Sequence, residues 1–138
     1  MNTKYLIAKV ERHHKDVINA GHNEQIPEFY ADDVDFFDPF TPAKHGKGIE
    51  EITAFMVATK TAFPDFTFYI DYIFAVDDTV TWVGRATGTH MNDFPGMPAK
   101  GNKIAIPMTQ IMRFNDDGKI YKIWVFTDSL LLVQQATA

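Results

Sequence analysis

Hydrophobic periodicity changes once along this chain, at Pro64, and that change constrains the fold more than any other feature. Before Pro64 the apolar side chains recur at helical spacing. Leu6, Val10, His13 and Val17 fall within a narrow arc at about 100° per residue, with Lys9, Glu11, Arg12 and Lys15 elsewhere. Asn2 or Thr3 can cap this helix and Gly21 can stop it. A shorter helical piece is predicted over residues 24–30, then a short strand over 33–38 ended by Pro39 and Pro42. Gly48 opens a second amphipathic helix, with Ile49, Ile52, Phe55, Met56 and Ala62 apolar, which Pro64 closes. Beyond Pro64 the period is two: Phe66, Phe68, Ile70 and Tyr72 alternate with Thr67, Tyr69 and Asp71. Long strands follow over 79–91, 103–114 and 120–127, with turns at Asp77-Asp78 and Asp116-Asp117-Gly118 and a Pro/Gly loop from Pro95 to Gly101. A terminal helix or strand-end cap comes last, at Leu130 to Val133. Helices first, then four consecutive strands with short connections, predict an antiparallel meander and an α+β class.

The 138 residues make one domain, 1–138, with no linker, repeat or low-complexity tract. Net charge is −5 with no Lys/Arg cluster, which argues against a nucleic-acid surface or a polybasic membrane patch. Without cysteine there is no disulfide, no thiolate metal site and no Cys nucleophile. No apolar stretch approaches the ~20 residues of a membrane span, and the apolar run at Tyr5–Ala8 is too short for a signal segment. A soluble cytoplasmic protein is therefore expected. Twelve Phe can fill a core and still line an apolar pocket. On the last strand Ile120, Trp124, Phe126 and Asp128 alternate with Tyr121, Ile123 and Val125, so both faces carry apolar side chains. Helices can cover only one face of so small a sheet; a homodimer through the other is expected.

Among residues able to do chemistry, Asp128 ends a strand in register with Trp124 and Phe126, ahead of Leu130 to Leu132. Two readings are open: a desolvated carboxylate acting as general base, or a cap on the terminal helix. His90, at the end of Gly88-Thr89-His90, suits proton transfer or hydrogen bonding, or is an exposed strand-end residue. His13 lies on the apolar stripe of the first helix as a hydrogen-bonded core histidine, whereas His14 and His22 read as surface residues. Arg85 either meets a carboxylate or anionic ligand inside, or sits on the outer face. The cluster Asp32, Asp33, Asp35 and Asp38 reads as solvated charge, with Asp38 setting the Pro39 turn. No histidine pair has metal-ligand spacing, and no Walker, dinucleotide-binding or nucleophile-elbow motif is present.

Taken in order, several segments resemble the SnoaL-like polyketide cyclases, a branch of the NTF2-like/ketosteroid isomerase superfamily. The resemblance covers residues 30–135. It rests on Asp38-Pro39, His45-Gly46, Gly48-Ile49, Ala62-Phe63-Pro64-Asp65, Gly88-Thr89-His90 and the loop Phe94-Pro95-Gly96-Met97-Pro98 with Gly101. It continues through Arg113-Phe114, Asp117-Gly118-Lys119-Ile120, Trp124 four residues before Asp128, Leu131-Leu132 and Gln134. It implies a cone: a strongly curved antiparallel sheet wrapped against N-terminal helices, enclosing one apolar pocket, in a dimer built on the sheets. By the same resemblance Asp128 is the acid/base for intramolecular aldol closure, with His90 or Gln110 stabilising the oxyanion. Trp124, Phe126, Met112 and Phe37 would line the pocket with Gln110, His13 and Arg85, and no metal or organic cofactor is required. Phe37, Pro98-Ala99-Lys100-Gly101 and Lys122-Ile123 depart from the family pattern, which has a histidine, Pro-Pro-Thr-Gly and a Glu-His pair there.

The function expected is a cofactor-independent enzyme acting on a small apolar carbonyl compound by aldol cyclisation or a related proton transfer. The alternatives are a non-catalytic module for a small hydrophobic ligand, and an isomerase or epoxide hydrolase on the same scaffold.

Overall fold

The switch from helices to strands at Pro64 organises the computed structural model, which describes residues 2–138. Helix α1 (Thr3–His13) is capped by the Asn2 carboxamide, which accepts the Tyr5 N–H at 2.8 Å. The chain then widens into a π-helical turn, His14–Asn19, and after a 3₁₀ turn at Asn23–Gln25 forms the short α2 (Ile26–Phe29). Strand β1 (Tyr30–Phe37) begins at Tyr30 rather than Asp33, because Tyr30, itself buried, already pairs with Ile120 across the sheet. The two-residue β2 (Gly46–Lys47) leads into α3 (Ile49–Ala62). Four long strands follow, β3 (Thr67–Val76), β4 (Thr79–Thr89), β5 (Lys103–Phe114) and β6 (Ile120–Thr127), then α4 (Ser129–Thr137).

The sheet order is β2-β1-β6-β5-β4-β3. The last four strands form the expected antiparallel meander, but β1 joins β6 in parallel, so the sheet is mixed. The sheet's concave face and the N-terminal helices enclose the core, in which Phe29, Tyr30, Val34, Trp82 and Met112 are all at most 1% exposed.

One irregularity decides which face of β6 is inside. Phe114 pairs with Ile120 but Arg113 pairs with Lys122, leaving Tyr121 as the extra residue of a β-bulge. Ile120 is buried at 1% and Ile123 at 2%, so the alternation reverses across Tyr121. From there Ile123, Val125 and Thr127 point inward and Lys122, Trp124 and Phe126 outward. The plain alternation that put Trp124, Phe126 and Asp128 with Ile120 is overturned by that one residue.

A second bulge lies in β3, between Ile70 and Tyr72, opposite Gly84. A Cβ at Gly84 would lie 1.8 Å from the Tyr69 carbonyl oxygen, a clash that only backbone movement relieves. Gly84→Ala is therefore expected to destabilise the fold by about 3 kcal/mol, the upper end of overpacking costs. Equilibrium denaturation checks this, and an unchanged midpoint would refute the close approach.

Candidate functional site

Between the concave sheet and α3 lies a cavity of about 110 Å³, walled mainly by Phe36, Phe40, Phe55, Phe63, Phe66, Phe68, Phe94 and aliphatic side chains from β5 and β6. Few polar side chains reach it, and several are already committed. Thr59 donates to the Phe55 carbonyl at 2.9 Å and Thr127 to that of Pro107 at 2.7 Å. The Lys60 ammonium donates to the carbonyls of Ile18, Asn19 and Phe66 at 2.9–3.1 Å, tying α3 to the end of the π-turn. Four groups keep capacity for a ligand: Asp38, Gln110, Tyr30 and Asn23.

Asp38 follows β1 and shares the inward face with Phe36; it is 8% exposed. Its Oδ1 accepts the Phe40 N–H at 2.9 Å, and its backbone carbonyl accepts from the Thr41 hydroxyl at 2.8 Å, so it does set the Pro39 turn. It is not solvated charge. Desolvation pushes its pKa up to about 6, against the smaller lowering effect of the Phe40 N–H. Only its alternation with Phe37 signals this in the sequence, and the three neighbouring aspartates conceal it.

Gln110 is oriented by Trp82, whose indole N–H donates to Oε1 at 2.9 Å. Its Nε2 is thereby left as the free donor of a side chain that lines the cavity. Phe37 pairs with Trp124, so Asp38 continues the row that runs through Val125, Gln110 and Trp82. Asp38 and Gln110 thus flank Val125, two strand spacings or roughly 10 Å apart at the backbone.

The other residues singled out in the sequence lie elsewhere. Asp128 is exposed, and its carboxylate accepts the Leu131 N–H at 2.9 Å as the N-cap of α4, the second of its two readings. His90 is 0% exposed, not a strand-end surface residue; its ring stacks on Phe63 at 4.8 Å, and Phe63, not His90, lines the cavity. Met112 is fully buried in the core but absent from the cavity wall. His13 is buried and linked to the Tyr30 hydroxyl at 2.7 Å through Nε2. Trp124, Phe126, Phe37 and Arg85 all stand on the outer sheet face rather than in the cavity. There Phe37 stacks between His45 (4.5 Å) and Trp124 (5.9 Å), and Arg85 lies over the Tyr69 ring at 4.4 Å with Asp71 at 3.7 Å. Phe126 is 52% exposed, and Tyr72, Phe74, Val76 and Val83 on the same face are exposed too.

His14, read as a surface residue, is 3% exposed. The π-turn that begins there lets two consecutive residues, His13 and His14, both face inward. Among the described residues no three His, Asp or Glu side chains converge as metal ligands, and no helix is long and apolar enough to cross a membrane.

A family model for SnoaL-like polyketide cyclases matches residues 8–136. No curated protein sequence matches the chain. Among solved structures, a SnoaL-like protein from Jannaschia sp. CCS1 superposes with a TM-score of 0.88 at 22% identity, over 99% of this chain and 94% of its own. TsrD from Streptomyces laurentii gives 0.84 at 18% identity, over 99% and 98%. IdmH from Streptomyces antibioticus, described as a candidate polyketide cyclase, gives 0.78 at 25% identity, over 96% and 99%.

Proposed function

The chain belongs to the SnoaL-like polyketide cyclase family, and from that premise we propose that it is a cofactor-independent enzyme acting on a small apolar carbonyl compound, with Asp38 as its acid/base. The observation that carries this reading is a carboxyl group on the wall of an apolar cavity, one oxygen held by a backbone N–H, with its pKa pushed up to about 6. Such a group is ionised at neutral pH yet basic enough to take a proton from carbon.

The chemistry follows from the row Asp38–Val125–Gln110. Asp38 removes a proton from a carbon α to a carbonyl; the electron pair moves onto the carbonyl oxygen, which receives a hydrogen bond from Gln110 Nε2. In an aldol closure the enolate carbon attacks a second carbonyl of the same molecule, and protonated Asp38 returns its proton to the new alkoxide. Phe36, Phe40, Phe55 and Phe94 hold water away and strengthen these interactions.

Proton abstraction can be tested without the natural substrate. 2-Tetralone in D₂O should exchange its α-protons faster with the protein than in buffer, read by proton NMR. No acceleration for this or other cyclic ketones of similar size would overturn the enzymatic reading in favour of a binding module.

We also propose a homodimer packed through the outer sheet face. Supporting it, Tyr72 is 73%, Val76 65%, Phe74 54% and Phe126 52% exposed on one surface. Sedimentation at micromolar concentration should show twice the chain mass; a clean monomer would refute it.

A further inference from the structure

The acid/base chemistry draws on β1 and β5 and leaves the β3 side of the cavity without a task. Asn23 stands on the cavity wall there, half-buried, in the 3₁₀ turn that follows the π-turn. Its backbone is committed: the N–H bonds the Gly21 carbonyl at 2.9 Å, and the carbonyl accepts from Ile26. Its carboxamide has no partner among the described residues, although Thr59 and Lys60 on the same wall are both bonded.

Lys60 gives this end its character. Its stem passes so close to Gly21 that a Cβ there would lie 3.3 Å from it, which sets the charged side chain beside the turn that carries Asn23. The ammonium bonds three carbonyls and, among the described residues, no carboxylate. Asp65, whose charge it feels, is held instead by the Thr89 N–H and hydroxyl at 2.6 and 2.8 Å. Only backbone dipoles offset the charge, so this end of the cavity is electropositive.

The cavity therefore has a direction. Lys60 bonds the carbonyl of Phe66, just ahead of β3, whereas Asp38 follows β1, four strand spacings or roughly 19 Å away along the curve of the sheet. A ligand lowers its energy by turning its acidic proton toward Asp38 and an electron-rich oxygen toward Lys60. There the Asn23 carboxamide supplies the donor that Lys60, with its three protons already given to carbonyls, does not.

We infer that Asn23, in the field of Lys60, is a specificity-determining subsite for an acceptor oxygen at the end of the ligand remote from Asp38. The ligand class is then narrower than an apolar carbonyl compound: a molecule about two fused rings long, with a carbonyl oxygen beyond its apolar body. This rests on the cavity being the ligand site, as proposed above.

The probes are 6-acetyl-2-naphthol, with a remote carbonyl, 6-isopropenyl-2-naphthol, with a methylene in place of that oxygen, and 2-naphthol. Titration calorimetry gives the affinity ratio of the first to the second, in which size and shape cancel. Asn23→Leu should lower that ratio about fivefold, the typical worth of one hydrogen bond. Asn23→Asp should lower it at least as far, since it keeps the shape, loses the donor and turns a carboxylate toward the ligand oxygen. Both variants should melt as the wild-type protein does, because the carboxamide bonds nothing else in the fold. A ratio unchanged in either variant would overturn the subsite while leaving the cavity reading intact. Binding of 2-naphthol alone would do the same, since the cavity would then end short of Asn23. A marked fall in melting temperature in both variants would overturn it in favour of a structural asparagine. Failure of all three compounds to bind the wild-type protein would overturn the subsite and the cavity reading together.

Discussion

Asp38→Asn is expected to lower the rate of α-proton exchange by ~10²–10⁴-fold, the usual worth of a positioned general base, and to make the protein more stable at neutral pH. Both effects have one cause. In the unfolded chain the carboxyl titrates near ~4; folded, burial pushes it up to about 6. The folded state therefore binds the proton more tightly, and stability falls as pH rises from about 4 through about 6. Above that range the buried carboxylate costs about 3 kcal/mol, the order of magnitude for a carboxyl that folding makes roughly a hundredfold harder to ionise. Asparagine keeps the acceptor for the Phe40 N–H and removes the charge, so most of that cost disappears. The wild-type exchange rate should rise between pH 5 and 7 as Asp38 ionises and then level off. Asp128→Asn is the control. Asparagine caps a helix as well as aspartate does, so the Leu131 N–H stays bonded and neither rate nor stability should change. A large loss of exchange in Asp128→Asn, with Asp38→Asn unaffected, would overturn the assignment and return the role to the strand-end carboxylate.

The two aspartates also show how much of the site was legible in the sequence. The change of period at Pro64 was enough to predict the helices, the meander and the α+β class, because periodicity reports which faces are buried whatever the tertiary detail. Assigning faces on β6 required knowing that Tyr121 bulges, and nothing at Gly118-Lys119-Ile120-Tyr121 announces it. One extra residue exchanged the inner and outer sets and carried Trp124, Phe126 and Asp128 out of the cavity. On β1 no bulge intervenes between Phe36 and Asp38, so alternation did place Asp38 beside a core phenylalanine. What concealed it was composition, since Asp32 and Asp33 are exposed and Asp35 half-buried, and four acids in seven residues read as solvated charge. His14 escaped for a third reason. At α-helical spacing it falls off the apolar stripe, and only the π-turn from His14 to Asn19 brings it inside.

Acid should unfold this protein earlier than its carboxylates alone would dictate, because of His13 and His14. Burial holds His13 well below the ordinary histidine range and His14 at about 3, whereas both titrate near ~6.5 once unfolded. Below pH ~6.5 the unfolded state takes up protons that the folded state refuses, so stability falls with pH at up to ~1.4 kcal/mol per unit for each histidine. By pH 4 that amounts to about 3 kcal/mol for His14, and His13 adds to it in the same direction. Asp38 works in the opposite sense over the same window, regaining up to about 3 kcal/mol as it protonates, and so offsets roughly one histidine. The exposed Asp65 and the half-buried Asp35 and Asp78, whose pKa values partners lower, contribute only as pH falls toward and below the ordinary carboxylate range. Urea midpoints at pH 7, 5.5 and 4 should separate the three buried groups. The wild-type protein should lose stability across the series, His14→Phe should lose less because that proton uptake is gone while Asp38 still opposes His13, and Asp38→Asn should fall most steeply. A His14→Phe variant as acid-sensitive as the wild-type protein would refute the burial of a neutral ring between Phe68 and Trp82 as the source of the acid sensitivity.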